Sequence, residues 1–184
     1  EEAKFLKEHK DENSNRKFRN EWETLAAEGT PEEDLETAAV SGGNEGIILT
    51  TTKWGQGNPY NLLCTCPDGQ KAAAGCISIA LAQVLRYFTY PAVATKDFSY
   101  YDGGTCSGTR ALSDVGITPF DWANMPNSVS SSSPAAQQQA VAKLVYQSGV
   151  AMSINFEVGS SGGSSSNLPY AFQRNFDYTS TLRL

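Results

Sequence analysis

Gly75-Cys76-Ile77-Ser78-Ile79-Ala80-Leu81-Ala82-Gln83-Val84-Leu85-Arg86-Tyr87-Phe88, closed off by Tyr90-Pro91, is the stretch on which the fold turns. Ile77, Ala80, Leu81, Val84, Leu85 and Phe88 recur at helical spacing, and Ile79 and Ala82 fill other faces. A helix apolar on most sides is a buried central helix. Gly75 precedes it, and Pro91 forbids it from continuing. Cys76 then stands at the end of the helix whose N–H groups have no partner within it and whose peptide dipoles sum to a positive charge. A thiolate is favoured there over a thiol, and the thiolate is the reactive form of cysteine. The small residues Ala72-Ala73-Ala74-Gly75 leave room for another backbone to approach. Periodicity alone also supports a plainer reading, in which the cysteine is a small core hydrophobe.

Magnitudes limit what the helix does by itself. A free thiol has a pKa near ~8.5, and a helix terminus is worth ~0.3–2 kcal/mol. Histidine-paired reactive cysteines reach roughly 3–4, a drop that needs about 6–7 kcal/mol. An imidazolium has to supply most of the difference, and to protonate a leaving group as well. The single histidine of the chain is His9, which reads as a solvated surface residue in a charged segment.

Working outward, residues 1–46 hold 13 acidic and 6 basic side chains, a net −7, while the rest of the chain is +1. That shift marks a boundary near Gly46. Phe18, Trp22 and Leu25 form one narrow apolar stripe ended by Gly29. Thr30-Pro31-Glu32-Glu33 starts a second helix as a capping box. Ser41-Gly42-Gly43-Asn44 reads as a linker. Residues 47–52 are β-branched and suit a strand. Residues 92–133 read as loop-rich, and Ser133-Pro134 opens a helix with Val141, Leu144, Val145 and Ser148 on one face and Gly149 as its stop. Residues 150–156 suit a strand, and residues 159–166 a flexible glycine/serine loop. Asn167 caps a last helix with Leu168, Ala171, Phe172 and Phe176 on one face.

Several function classes drop out. Nothing after Gly46 supplies the basic face that nucleic acid demands. No apolar run approaches the ~20 residues of a membrane span. Cys64-x-Cys66 is too tight for the usual zinc pair, and no histidine follows at ligand spacing, so no metal and no cofactor is expected. A disulfide from Cys106 to either Cys64 or Cys66 stays open.

Five segments in register carry a resemblance. Trp54-Gly55-Gln56-Gly57-Asn58-Pro59-Tyr60-Asn61-Leu62-Leu63 looks like the start of a mature streptopain catalytic domain. Ala73-Ala74-Gly75-Cys76-Ile77, with Ala82-Gln83-Val84 and Tyr90-Pro91, resembles its nucleophile helix. Phe120-Asp121-Trp122-Ala123-Asn124-Met125-Pro126, residues 140–150, and the glycine/serine loop before Phe176-Asp177-Tyr178 are similar to further segments of that family. The resemblance implies an α+β, papain-like cysteine proteinase fold, mainly its helical half, incomplete without the β-rich half that bears the histidine.

The resemblance also implies roles. Cys76 matches the nucleophile, and Gln56 the glutamine that completes the oxyanion hole with the cysteine N–H. Ser160, Ser161, Gly162 and Gly163 match a loop bordering the substrate cleft. Residues 1–46 match the tail of an inhibitory propeptide, and residues 47–184 the N-terminal part of the peptidase domain. The expected activity is endopeptidase cleavage of protein or peptide substrates, outside the bacterial cytoplasm. The remaining C-terminal half would act as the partner that brings the histidine, and the 184 residues would be one piece of a longer protein. The alternative is an inactive papain-like domain that binds peptides or a peptidase, with Cys76 merely buried.

Overall fold

The computed structural model describes residues 50–179, all within the unit that runs from Ile48 to Leu184. The two helices expected before the linker, His9, and the first part of the strand expected at 47–52 lie outside the described residues. Thr50, Thr51 and Thr52 form no strand. In chain order come helix α1 (Cys76–Phe88), strands β1 (Ser99–Asp102) and β2 (Gly108–Ala111), helix α2 (Ala135–Ala151) and helix α3 (Leu168–Asn175). Short 3-10 turns at Leu112–Val115, Trp122–Asn124 and Ser165–Asn167 link them.

α1 forms where the periodicity puts it, but its buried face is turned from the expected one. Ser78, Ile79, Leu81, Ala82 and Leu85 are buried. Ala80 and Phe88 are exposed, and Ile77 and Val84 are half-buried. The cause is close packing on α2, which selects the small residue Ser78 for the contact face. A Cβ placed on Gly149 of α2 would stand 2.9 Å from the Ser78 hydroxyl. Gly149 is therefore an approach point and not the stop that the sequence suggests, and α2 continues through it to Ala151.

Both long helices close in the same way. The N–H of Thr89 donates to Arg86 and that of Tyr90 to Leu85. Likewise the N–H of Ser153 donates to Val150 and that of Ile154 to Gly149. Each pair is a Schellman motif. The left-handed position falls on Thr89 (φ 48°) and Ser153 (φ 52°), where glycine is usual. Because α2 runs on, no strand forms at 150–156. What remains is an extended stretch with Ile154 and Phe156 buried and Asn155 exposed, joined to Gly162 by a single antiparallel bridge.

Residues 92–133 contain more order than expected. β1 and β2 pair antiparallel, from Ser99 with Ala111 to Asp102 with Gly108. A disulfide joins Cys66 to Cys106, which leaves Cys64 as a buried free thiol and Cys76 as an exposed one. At α3, Asn167 holds the capping position, yet its side-chain amide donates to the Met152 carbonyl at 2.8 Å instead of capping. Ala171, Phe172 and Phe176 are buried as the pattern requires. Among the described residues no helix is long and apolar enough to cross a membrane.

Candidate active site

Residues 72–74 lead into α1 and are held on every side. The Ala72 N–H donates to Cys64 O at 2.8 Å, and its carbonyl accepts from the buried Asn61 amide at 2.8 Å. The Ala73 N–H donates to Glu157 O, and the Ala74 N–H to Gln56 O, both at 2.9 Å. Gly75 then turns the chain at φ 84°. A Cβ there would meet Ile154 Cδ1 at 3.0 Å, and the Ser161 carbonyl and Ser78 hydroxyl at 3.3 Å. Glycine is required on both counts, conformation and space.

Cys76 follows as the first residue of α1 and is exposed. No side chain caps the helix, and its first turn holds no acidic residue. The unpaired N–H groups and the positive end of the dipole therefore face outward beside the thiol. The plainer reading of Cys76 as a core hydrophobe does not fit that exposure.

Gln56 sits at the exposed tip of a loop anchored at both ends. On one side the buried Trp54 donates from its indole to Pro126 O at 3.0 Å. On the other, the Tyr60 hydroxyl donates to Lys53 O at 3.3 Å and accepts from the Val129 N–H at 3.1 Å. The backbone bond to Ala74 ties Gln56 to the segment that presents Cys76.

The glycine/serine loop is more constrained than its composition suggests. Ser161 is 4% exposed. Its hydroxyl accepts from the Glu157 N–H at 2.8 Å and donates to Glu157 O at 3.2 Å. Gly162 and Asn155 exchange backbone bonds of 3.1 and 2.8 Å. The loop thus folds back against Gly75, with Ser160, Gly162 and Gly163 exposed beside it.

The structure brings together the backbone of Gln56, the Gly75-Cys76 corner and Ser161. No histidine is found among the described residues. Sequence reasoning missed the pair Asp102 and Arg110, which are buried behind these segments. Their separation along the chain left no local pattern; the signal was only two charges in a stretch dense in glycine.

Cys64 is the chemical opposite of Cys76. It is fully buried, and desolvation pushes its thiol up to about 12, with Arg110 and Lys71 offsetting part of the rise.

The α+β arrangement, with an exposed cysteine heading a helix packed in the core, is that of the helical part of papain-like cysteine peptidases. Interpain A of Prevotella intermedia has a solved structure that matches with a TM-score of 0.61 and 32% identity, over 70% of this chain and 54% of that one. Residues 54–184 match the Peptidase C10 family, and the chain belongs to that family, the streptopain group. Thiol protease/hemagglutinin PrtT of Porphyromonas gingivalis is 29% identical over 131 residues, 71% of this chain and 15% of that protein. Streptopain of Streptococcus pyogenes is 26% identical over 147 residues, 70% of this chain and 36% of that protein. The chain therefore spans about a third or less of the curated relatives it matches and about half of the solved one.

Proposed function

We propose that this chain carries the nucleophile and part of the oxyanion hole of a cysteine endopeptidase. The observation behind this is an exposed free thiol at the uncapped head of an interior helix, in a chain of the C10 family. A histidine supplied by a region not in this chain takes the Cys76 proton. Sγ attacks the scissile carbonyl carbon, and the carbonyl π pair moves onto oxygen. The Cys76 N–H and the Gln56 side-chain amide hold that oxyanion; one such donor is commonly worth ~3 kcal/mol of barrier. The imidazolium then protonates the amine, which leaves as the C–N bond breaks. Water, deprotonated by the same imidazole, attacks the thioester and releases the acid and the thiol.

Further parts of the reading are proposals of the same kind. Ser160, Ser161, Gly162 and Gly163 border the cleft for a peptide substrate. Residues 1–46 act as a propeptide tail on the peptidase domain that starts at residue 47. The protein works outside the cytoplasm; the Cys66–Cys106 disulfide supports this, since such bonds persist in oxidising compartments.

Iodoacetamide near pH 6, followed by peptide mapping of the full-length protein, tests the nucleophile. An ordinary thiol is under about 1% ionised there. Rapid labelling confined to Cys76, with loss of peptide cleavage, is expected. Labelling of Cys76 no faster than that of a small model thiol would reject the assignment.

A further inference from the structure

Behind the site, the described residues contain one ion pair, and it is buried. Asp102 at the end of β1 is inaccessible and Arg110 on β2 is 8% exposed. Arg110 Nε lies 3.4 Å from Asp102 Oδ2, without hydrogen-bond geometry. The pair's hydrogen bonds reach further. Arg110 donates from Nη1 to Thr65 O at 2.8 Å and from Nη2 to Cys106 O at 2.7 Å. Asp102 accepts the Phe156 N–H on Oδ2 at 3.1 Å and the Gly104 N–H on Oδ1 at 2.9 Å. The guanidinium also sits 5.0 Å from the centre of the Phe156 ring.

These partners are not scattered. Thr65 follows Cys64, whose carbonyl holds the Ala72 N–H, and Phe156 precedes Glu157, whose carbonyl holds the Ala73 N–H. One cation and one anion thus fasten the two segments that flank residues 72–74, the lead-in to Gly75 and Cys76. A buried ion pair is a poor source of stability, since apolar residues of similar volume often do as well. What it offers is geometry: a planar fork of donors that engages two carbonyls at fixed angles, with the carboxylate beside it as counter-charge.

We propose that Asp102 and Arg110 are positioning residues for the Cys76–Gln56 site, setting the separation of the two segments between which residues 72–74 run. This rests on the reading of Cys76 as nucleophile and Gln56 as oxyanion donor. Because Ala74 holds Gln56 by its carbonyl, a shift of residues 72–74 moves the thiol and the oxyanion donor together. Misplacement of about 1 Å in a catalytic constellation costs roughly 100-fold in rate.

The test uses the full-length protein with Arg110→Met, Arg110→Lys and Asp102→Asn. kcat and KM on a peptide substrate are expressed per titratable Cys76 thiol, beside the pH 6 alkylation rate and Tm. For Arg110→Met and Asp102→Asn, kcat is expected to fall at least about 10-fold, with KM within about threefold. The alkylation rate should fall as well, because a displaced thiol is also misplaced against the histidine that keeps it ionised. Arg110→Lys should retain more kcat than Arg110→Met. A folded variant with wild-type kcat per thiol overturns the proposal, whatever its Tm. If Arg110→Met does not fold, Arg110→Lys and Asp102→Asn decide; if none of the three folds, the pair is a folding element and the proposal falls. Failure of the wild-type thiol to react at pH 6 would instead reject the nucleophile reading, which separates the two failures.

Discussion

Cys64 and Cys76 are both free thiols, and their surroundings set them opposite fates. Cys76 is in solvent at a helix head, while Cys64 is fully buried with its thiol held protonated. The raised value makes Cys64 a stability term at alkaline pH. Between its ordinary value of 9.0 and the folded value of about 12, the unfolded chain sheds the thiol proton while the native chain keeps it. The unfolded state then binds fewer protons, so stability falls as pH rises. The contribution is intact below pH 9, and about 1 kcal/mol is expected to go between pH 9 and 10. Tyr100, Tyr146 and Tyr178, also raised by burial, start from a higher ordinary value of 10.0 and begin to add their own loss as pH nears 10. Urea titrations at pH 8, 9 and 10 check this: Cys64→Ala should flatten the early fall, and an unchanged slope would show that Cys64 does not cause it. The helix that begins at Cys76 was legible because its signal is local, a glycine before an apolar period, whereas the role of Cys76 came only from the resemblance. Cys64 was not legible, since its burial is set by groups distant along the chain.

Among the elements, α1 and α2 approach closely where Ser78 on one helix faces Gly149 on the other. The sequence fits a helix at each place but misjudges Gly149, because a glycine near a helix end reads as a terminator. Only the neighbouring helix reveals that the missing side chain is needed for space. Gly149→Ala sets two effects against each other. Alanine gains up to ~1 kcal/mol in helix propensity, whereas overpacking costs typically ~1–3 kcal/mol. The new Cβ would meet Ser78 Oγ at 2.9 Å, Phe156 Cζ at 3.0 Å and Ile154 Cδ1 at 3.2 Å, all from fully buried residues. With three fully buried neighbours, the packing cost wins, and a net loss of about 1–2 kcal/mol is expected by urea unfolding. Adding Ser78→Ala removes the nearest atom, one without a hydrogen-bond partner, and should recover part of the loss. A Gly149→Ala protein as stable as the parent would mean that the helices separate freely. The hairpin β1–β2 was illegible for a different reason: strands of four residues, joined through Gly103 and Gly104 and with Gly108 opening the second, are too short for a period to emerge.

At the scale of the molecule, the helices carry the fold, while the segments that shape the site carry little regular structure. Residues 54–74, 103–107 and 154–163 are mostly turns and single bridges, linked by backbone bonds, by Asp102 and Arg110, and by the Cys66–Cys106 disulfide. The disulfide closes a loop of 40 residues. In the chain-entropy account that is worth about 4 kcal/mol, a large share of the ~5–15 kcal/mol by which a domain is usually stable. Replacing both cysteines by alanine should therefore leave the protein folded but lower its unfolding free energy by about 3–4 kcal/mol. The urea m-value should rise as well, because the unlinked unfolded chain exposes more surface. Cys64→Ala is the control, since it removes a sulfur without opening the loop. A loss below about 1 kcal/mol with an unchanged m-value would show that Arg110, through Thr65 and Cys106, already holds the two segments and that the covalent link is redundant. The two ties act on different states: the ion pair orders the native chain, and the disulfide restricts the unfolded one. Their losses should accordingly add when Arg110→Lys is combined with the double alanine variant, and a strongly non-additive result would place both in one native-state network.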